Sequence, residues 1–135
     1  MSTSQKAALI AAAKAAFKNA YAPYSNFHVG AAALAKSGKI FNGCNMENAS
    51  YGLTNCAERN CLGQAIVTGE REFETLIIYT EQEQLTPPCG ACRQVIAEFL
   101  EQDAYVSVYN HLGDEVSWQV KDILPNAFTP KNLTK

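Results

Sequence analysis

From residue 4 to residue 20 the apolar positions recur at a helical period. Leu9, Ile10, Ala13 and Phe17 share one side, and Ser4 stands where a cap is needed. Pro23 then excludes a continuing helix. Two short runs, 29–35 and 40–45, flank Ser37-Gly38 and read as a hairpin. A loop, NMENASYGLT, leads into a second periodic stretch from about 55 to 68, ended by Gly69. TLIIY, at 75–79, is a continuous apolar run of the kind found in a strand covered on both faces. A third helical stretch follows from about 89 to 100, and YVSVY at 105–109 and EVSWQV alternate as strands do. VKDILPNAF reads as a short helix stopped by Pro125.

The predicted order is therefore α, ββ, α, β, α, β, β. Strands separated by single helices imply parallel crossovers, so the expected solution is a mixed five-stranded sheet with helices on both faces. No linker or repeat interrupts the 135 residues, and a single domain spanning 1–135 is expected. Sites in such sheets collect at the carboxyl ends of strands, where helix N-termini open.

Composition narrows the class. A formal charge of −2 lacks the basic excess of a nucleic-acid binder, and no apolar run approaches the roughly 20 residues of a membrane span. Lysines 6, 14 and 18 interrupt the alanine-rich start, which argues against a secretory leader and for a cytoplasmic location. Five cysteines in a reducing compartment do not make a disulfide framework, which leaves metal binding, catalysis or packing.

Cys89 and Cys92 form C-x-x-C at a predicted helix start, after Pro87-Pro88. Residues three apart share a helical face, and the helix N-terminus favours thiolates. Alone, the pair fits a redox couple, half a zinc site or coincidence. Cys56 also begins a predicted helix, and two neighbouring parallel units would bring the three sulfurs together. Three soft donors select zinc, and three rather than four leave a position for water. Glu58, two residues past Cys56, would point away on an ideal helix unless the metal lies beyond the helix end. There its carboxylate can take a proton from a water whose pKa zinc lowers from about 16 towards roughly 7. Three thiolates leave the site net negative, and Arg59 can draw charge from the sulfurs. Cys44 and Cys61 read as small packing residues, and His28 and His111 have no partner at ligand spacing.

PYSNFHVGAA, NMENASYG, CAER, PPCGACRQVIAEF and ILPNAF, in this order, resemble the zinc-dependent cytidine deaminases, the small homotetrameric class in particular. The resemblance implies a three-layer α/β/α sandwich and one zinc ion per subunit on Cys56, Cys89 and Cys92, with Glu58 as proton shuttle and Arg59 compensating the thiolates. It implies that Phe27 packs on the pyrimidine, that Asn45 and Glu47 bind the ribose, and that Ala57 contacts substrate. Phe128 would complete the pocket of a neighbouring subunit. Tyr24 and Tyr51 fit the site, the core or a subunit contact, and Asn55, Asn60 and Cys61 are departures that flank the motif. The implied activity is hydrolytic deamination of cytidine and 2′-deoxycytidine. A deaminase of a modified cytosine nucleoside, of the blasticidin S type, is the near alternative, and a structural zinc module the distant one. Strand editing fits poorly without a basic, aromatic-lined track.

Overall fold

Ser2 starts the first helix through a reciprocal pair of bonds. Its hydroxyl accepts the Gln5 N–H at 3.1 Å, and the Gln5 side chain accepts the Ser2 N–H at 3.0 Å. The cap is thus Ser2 rather than Ser4, because only Ser2 has a glutamine three residues on. The computed structural model describes residues 1–133. In it α1 is Thr3–Phe17, β1 Gly30–Ala35, β2 Ile40–Cys44, α2 Ala57–Val67 and β3 Phe73–Tyr79. They are followed by α3 Gly90–Phe99, β4 Leu100–Tyr109, β5 Glu115–Gln119 and α4 Val120–Ile123. Among the described residues no helix is long and apolar enough to cross a membrane.

The strands form one sheet in the order β2-β1-β3-β4-β5. β1 is antiparallel to both β2 and β3, β3 is parallel to β4, and β4 is antiparallel to β5. β2 and β3 therefore run the same way although β1 lies between them. The chain passes from β2 through α2 to β3, and from β3 through α3 to β4, so both helices start at one edge of the sheet.

Both faces are covered, as expected for three layers. Ala57, Cys61, Leu62 and Ala65 of α2 and Ile96 of α3 pack on Ala31, Ala33, Leu76, Ile78, Val106 and Val108. On the other face Leu9 and Ala13 of α1 pack on Ala32, Leu34, Ile77, Tyr79 and Tyr109. β3 is the central strand, and all of it except Glu74 is buried, as its unbroken apolar run requires.

α1 ends at Phe17 rather than residue 20 and β3 begins at Phe73 rather than 75, but the largest departure is the start of β4. β4 begins at Leu100, directly after α3, and not at residue 105. Phe73 pairs with Leu100 and Thr75 with Tyr105, so the intervening polar residues of β4 bulge out of register and hide the strand's start from any alternation rule. α4 ends before Pro125 as expected, with Leu124 already out of the helix at φ −143°, ψ 74°.

Two glycines set the spacing of the layers. A Cβ on Gly43 would sit 2.8 Å from the Cys61 Cα of α2, and one on Gly30 would sit 2.7 Å from the Phe17 N of α1. Neither needs an unusual φ; each is small because a helix crosses the strand there. A Cβ on Gly63, in the exposed middle of α2, would meet nothing within 4 Å among the described residues. Replacement of Gly43 by Ala should destabilise the protein by about 1–3 kcal/mol through overpacking. Gly63→Ala should stabilise it by about 0.5–1 kcal/mol by relieving helix-interior glycine entropy. Denaturant unfolding of both variants checks the opposite signs.

Candidate metal centre

Cys56 and Cys89 occupy equivalent positions. Each is the N-cap of its helix with extended backbone (φ −75°, ψ 155° and φ −67°, ψ 167°), and neither uses its sulfur to cap the helix. The sulfurs are therefore free to face a common point beyond the two helix ends. Cys56 Sγ lies 3.8 Å from Cys89 Sγ, which lies 3.3 Å from Cys92 Sγ, and all three fall within 4.8 Å of one another. Among the described residues this is the one group of three or more potential ligands so placed. The donor set, three sulfurs and no oxygen, fits zinc and not magnesium or calcium. The extended conformation of Cys56 also removes the objection to Glu58: one residue precedes the helix and the other is in its first turn, so both can face the metal end.

The electrostatics follow from this crowding. The neighbouring Cys92 thiol, aided by Arg59, holds the Cys56 thiol down to about 5 against the opposing effect of burial. Cys92, beside Cys56 and itself buried, is pushed up. Arg59 Nη2 lies 3.3 Å from Cys56 Sγ and also donates to the Thr54 carbonyl at 3.5 Å. The Arg59 Nε is buried with no hydrogen-bond partner among the described residues. Glu58 is only 5% exposed, and burial, followed by the negative charge of Cys56, pushes its carboxyl up. A carboxyl so placed readily takes and returns a proton.

Glu58, Cys56 and Cys89 line one cavity together with Ala57, Phe27, Asn45 and Glu47. Asn45 and Glu47 lie just past β2, and Met46 between them forms bridges to Tyr21 and to Asn55, so the alternation continues beyond the strand. The Asn45 amide accepts the Val29 N–H at 2.9 Å and donates to the Phe27 carbonyl at 2.8 Å, leaving one N–H and one lone pair unused. Glu47 accepts the N–H groups of Tyr24 and Ser25 at 3.0 and 3.1 Å and the Ser25 hydroxyl. The Ser25 hydroxyl is the main reason its carboxyl is held below the usual range. Both side chains thus pin the segment that carries Phe27.

Phe128 is not in this cavity. Its ring is 59% exposed and its carbonyl accepts from Gln94 Nε2 at 2.8 Å. Tyr24 and Tyr51 stack edge-on at 6.1 Å beside a shallow depression that shares Glu47 with the pocket. Cys61 is fully buried, bonded to the Phe41 carbonyl and pushed up to about 12 by burial, whereas Cys44 is half-buried. Asn60 donates to the Cys44 carbonyl at 2.9 Å and ties α2 to β2. His28 lies beside Phe17, with ring centroids 5.8 Å apart, and Trp118 packs on the main core. Sequence reasoning missed Ser25, Val29, Thr54, Ile78, Thr80 and Thr86 as lining residues, and nothing in their spacing marks them. Thr80 is buried, and its hydroxyl has no hydrogen-bond partner among the described residues.

Thiol ligands beside a buried carboxyl, at the helix-bearing edge of an α/β/α sheet, define a zinc-dependent hydrolytic enzyme. Residues 3–108 match the model of the cytidine and deoxycytidylate deaminase zinc-binding region, and the chain belongs to that family. It is 47% identical over 126 residues to a cytidine deaminase of Sporosarcina psychrophila, covering 93% of each chain. It is 46% identical over 125 residues to one of Halalkalibacterium halodurans, covering 93% of this chain and 95% of that one. The crystal structure of a Burkholderia pseudomallei cytidine deaminase superposes with a TM-score of 0.87 at 48% identity, over 95% of this chain and all of the other. Zinc is accordingly the cofactor of the three-cysteine centre.

Removal of zinc by a chelator should render Cys56 and Cys89 alkylatable at neutral pH, while Cys61 stays unmodified in the folded protein. Mass spectrometry after thiol labelling, with and without chelator, reads this out. Cys61 labelled as fast as Cys56 would contradict the assignment of one thiol to the metal and the other to the core.

Proposed function

We propose that this protein catalyses the hydrolytic deamination of cytidine and 2′-deoxycytidine to uridine and 2′-deoxyuridine, with release of ammonia. The observation that carries the proposal is Glu58, a nearly buried carboxyl lining the same cavity as two of three clustered thiols. A purely structural zinc module has no use for such a group.

Cys56, Cys89 and Cys92 hold the metal. Bound zinc supplies the acidity that makes water a nucleophile near neutral pH. Glu58 removes a proton from the attacking water and delivers it to N3 of the ring, then takes the remaining proton of the hydroxyl at C4 and gives it to the departing amine, acting as base and then acid. The oxygen of water replaces the amine at C4, and the amine leaves as ammonia. Arg59, 3.3 Å from Cys56 Sγ, offsets the excess negative charge of three thiolates, which would otherwise weaken the metal as a Lewis acid. Phe27 packs on the base and Ala57 contacts it from the metal side. Asn45 and Glu47 offer the ribose hydroxyls the donor and acceptor capacity that their structural bonds leave free.

The exposed ring of Phe128 supports a homotetramer in which each subunit completes a neighbour's pocket. Five free thiols suit a cytoplasmic enzyme, and the shared sheet supports a single domain.

Glu58→Gln should keep zinc at wild-type stoichiometry while losing about 10²–10⁴-fold in turnover. An active Gln variant would remove the proton-carrier role. Arg59→Gln should keep zinc and turn over more slowly, and an unchanged rate would remove its electrostatic role. Both are measured by metal analysis and by the absorbance change on cytidine, with deoxycytidine, cytosine, dCMP and a modified cytosine nucleoside as further substrates.

A further inference from the structure

The loop from β3 to α3 carries Thr86, Pro87 and Cys89 into the pocket wall, yet it has few anchors. Residues 81–84 are exposed, and Leu85 is only partly buried against the main core. Across 82–88 three hydrogen bonds reach the loop, and no others are found among the described residues. At its exit, Arg93 Nε donates to the Pro88 carbonyl at 2.8 Å. At its entry, Asn110 Nδ2 donates to the carbonyls of Gln82 at 3.1 Å and Glu83 at 3.2 Å.

Asn110 lies immediately after β4 and is 4% exposed. Its Oδ1 accepts the N–H groups of Leu112 and Asp114, each at 3.0 Å, and so closes the β4–β5 turn around Gly113 at φ +85°. Nδ2 also reaches Asp114 Oδ2 at 3.2 Å. One amide therefore locks two loops together: its oxygen accepts within the turn, and its NH₂ reaches both the pocket loop and Asp114 of the turn. Side chains of similar size can satisfy the first task without the second.

We infer that Asn110 is a positioning residue for the deaminase pocket, fixing Thr86 and Pro87 against the substrate without touching it. The inference rests on the deaminase reading of that cavity. The two anchors divide the work. Arg93 and the metal hold the Cys89 end, whereas Asn110 holds the end that leads into the wall. Losing Asn110 should therefore weaken substrate binding and spare the metal.

Asn110→Asp keeps acceptors for the turn N–H groups but turns a carboxylate on the carbonyls of Gln82 and Glu83, and on Asp114 as well. Asn110→Ser is the second variant, short enough to lose reach to the loop while retaining an acceptor. Ser107→Ala is the control. It removes another buried polar contact of β4, the 2.7 Å bond to Ser117, which involves no residue of the loop. For the Asn110 variants the expected result is a KM for cytidine raised about tenfold, kcat within about threefold of wild type and zinc content unchanged. Proteolytic nicking within 82–88 should also become at least about tenfold faster. Ser107→Ala should lower the melting temperature and leave KM and nicking unchanged. An unchanged KM in either folded Asn110 variant, a fall in kcat at constant KM, or an equal KM rise in Ser107→Ala overturns the inference. If wild-type protein does not deaminate cytidine, the functional reading fails by itself. The nicking rate still decides whether Asn110 anchors the loop.

Discussion

The site depends on β2 and β3 running in the same direction with β1 between them. Two crossovers that share a direction and a sheet face must start their helices at the same edge. α2 and α3 therefore present Cys56 and Cys89 as paired N-caps, and Cys92 joins them from the first turn of α3. Helix dipoles and the Arg59 guanidinium stabilise negative charge there, which makes a thiol cluster feasible at neutral pH. The close approach of α2 at Gly43 brings the helix, and Glu58 with it, against the sheet.

Much of the polar chemistry around the pocket is spent on its walls. Asn45 and Glu47 clamp the backbone of 24–29, Asn60 ties α2 to β2, and Arg93 holds both the Pro88 and Ile123 carbonyls. These are side-chain bonds to backbone groups in loops or at the last residue of an element, where the sheet or helix ladder gives out. A pocket built from loops on a rigid sheet keeps its shape only if such bonds are made. Residues with an expected role in binding are here also structural, which ties substrate affinity to local order.

The parts readable from sequence were those with local signatures. Cysteine spacing, the C-A-E run and the double proline named the three thiols and Glu58, and period and turn chemistry located every strand. The starts of elements were less readable. β4 hid behind the polar bulge after Leu100, and α1 started from Ser2 through a partner at Gln5 instead of from Ser4. Asn60 and Asn110 carried no signal, because their partners are carbonyls 16 and 27 or 28 residues away, brought near only by the sheet order. The strain between Cys56 and Glu58 on an ideal helix vanished once Cys56 proved to precede the helix. Phe128 lies outside the cavity of its own chain, so nothing in one chain bears on the role its motif implies.

The central claim is a zinc centre of three sulfurs with one position left for water, set by two helix N-termini. Zinc-edge X-ray absorption of the purified protein tests it most directly. Three sulfur neighbours at about 2.3 Å and one oxygen neighbour near 2.0 Å are predicted. Four sulfur neighbours, or two sulfurs with nitrogen donors, would contradict it.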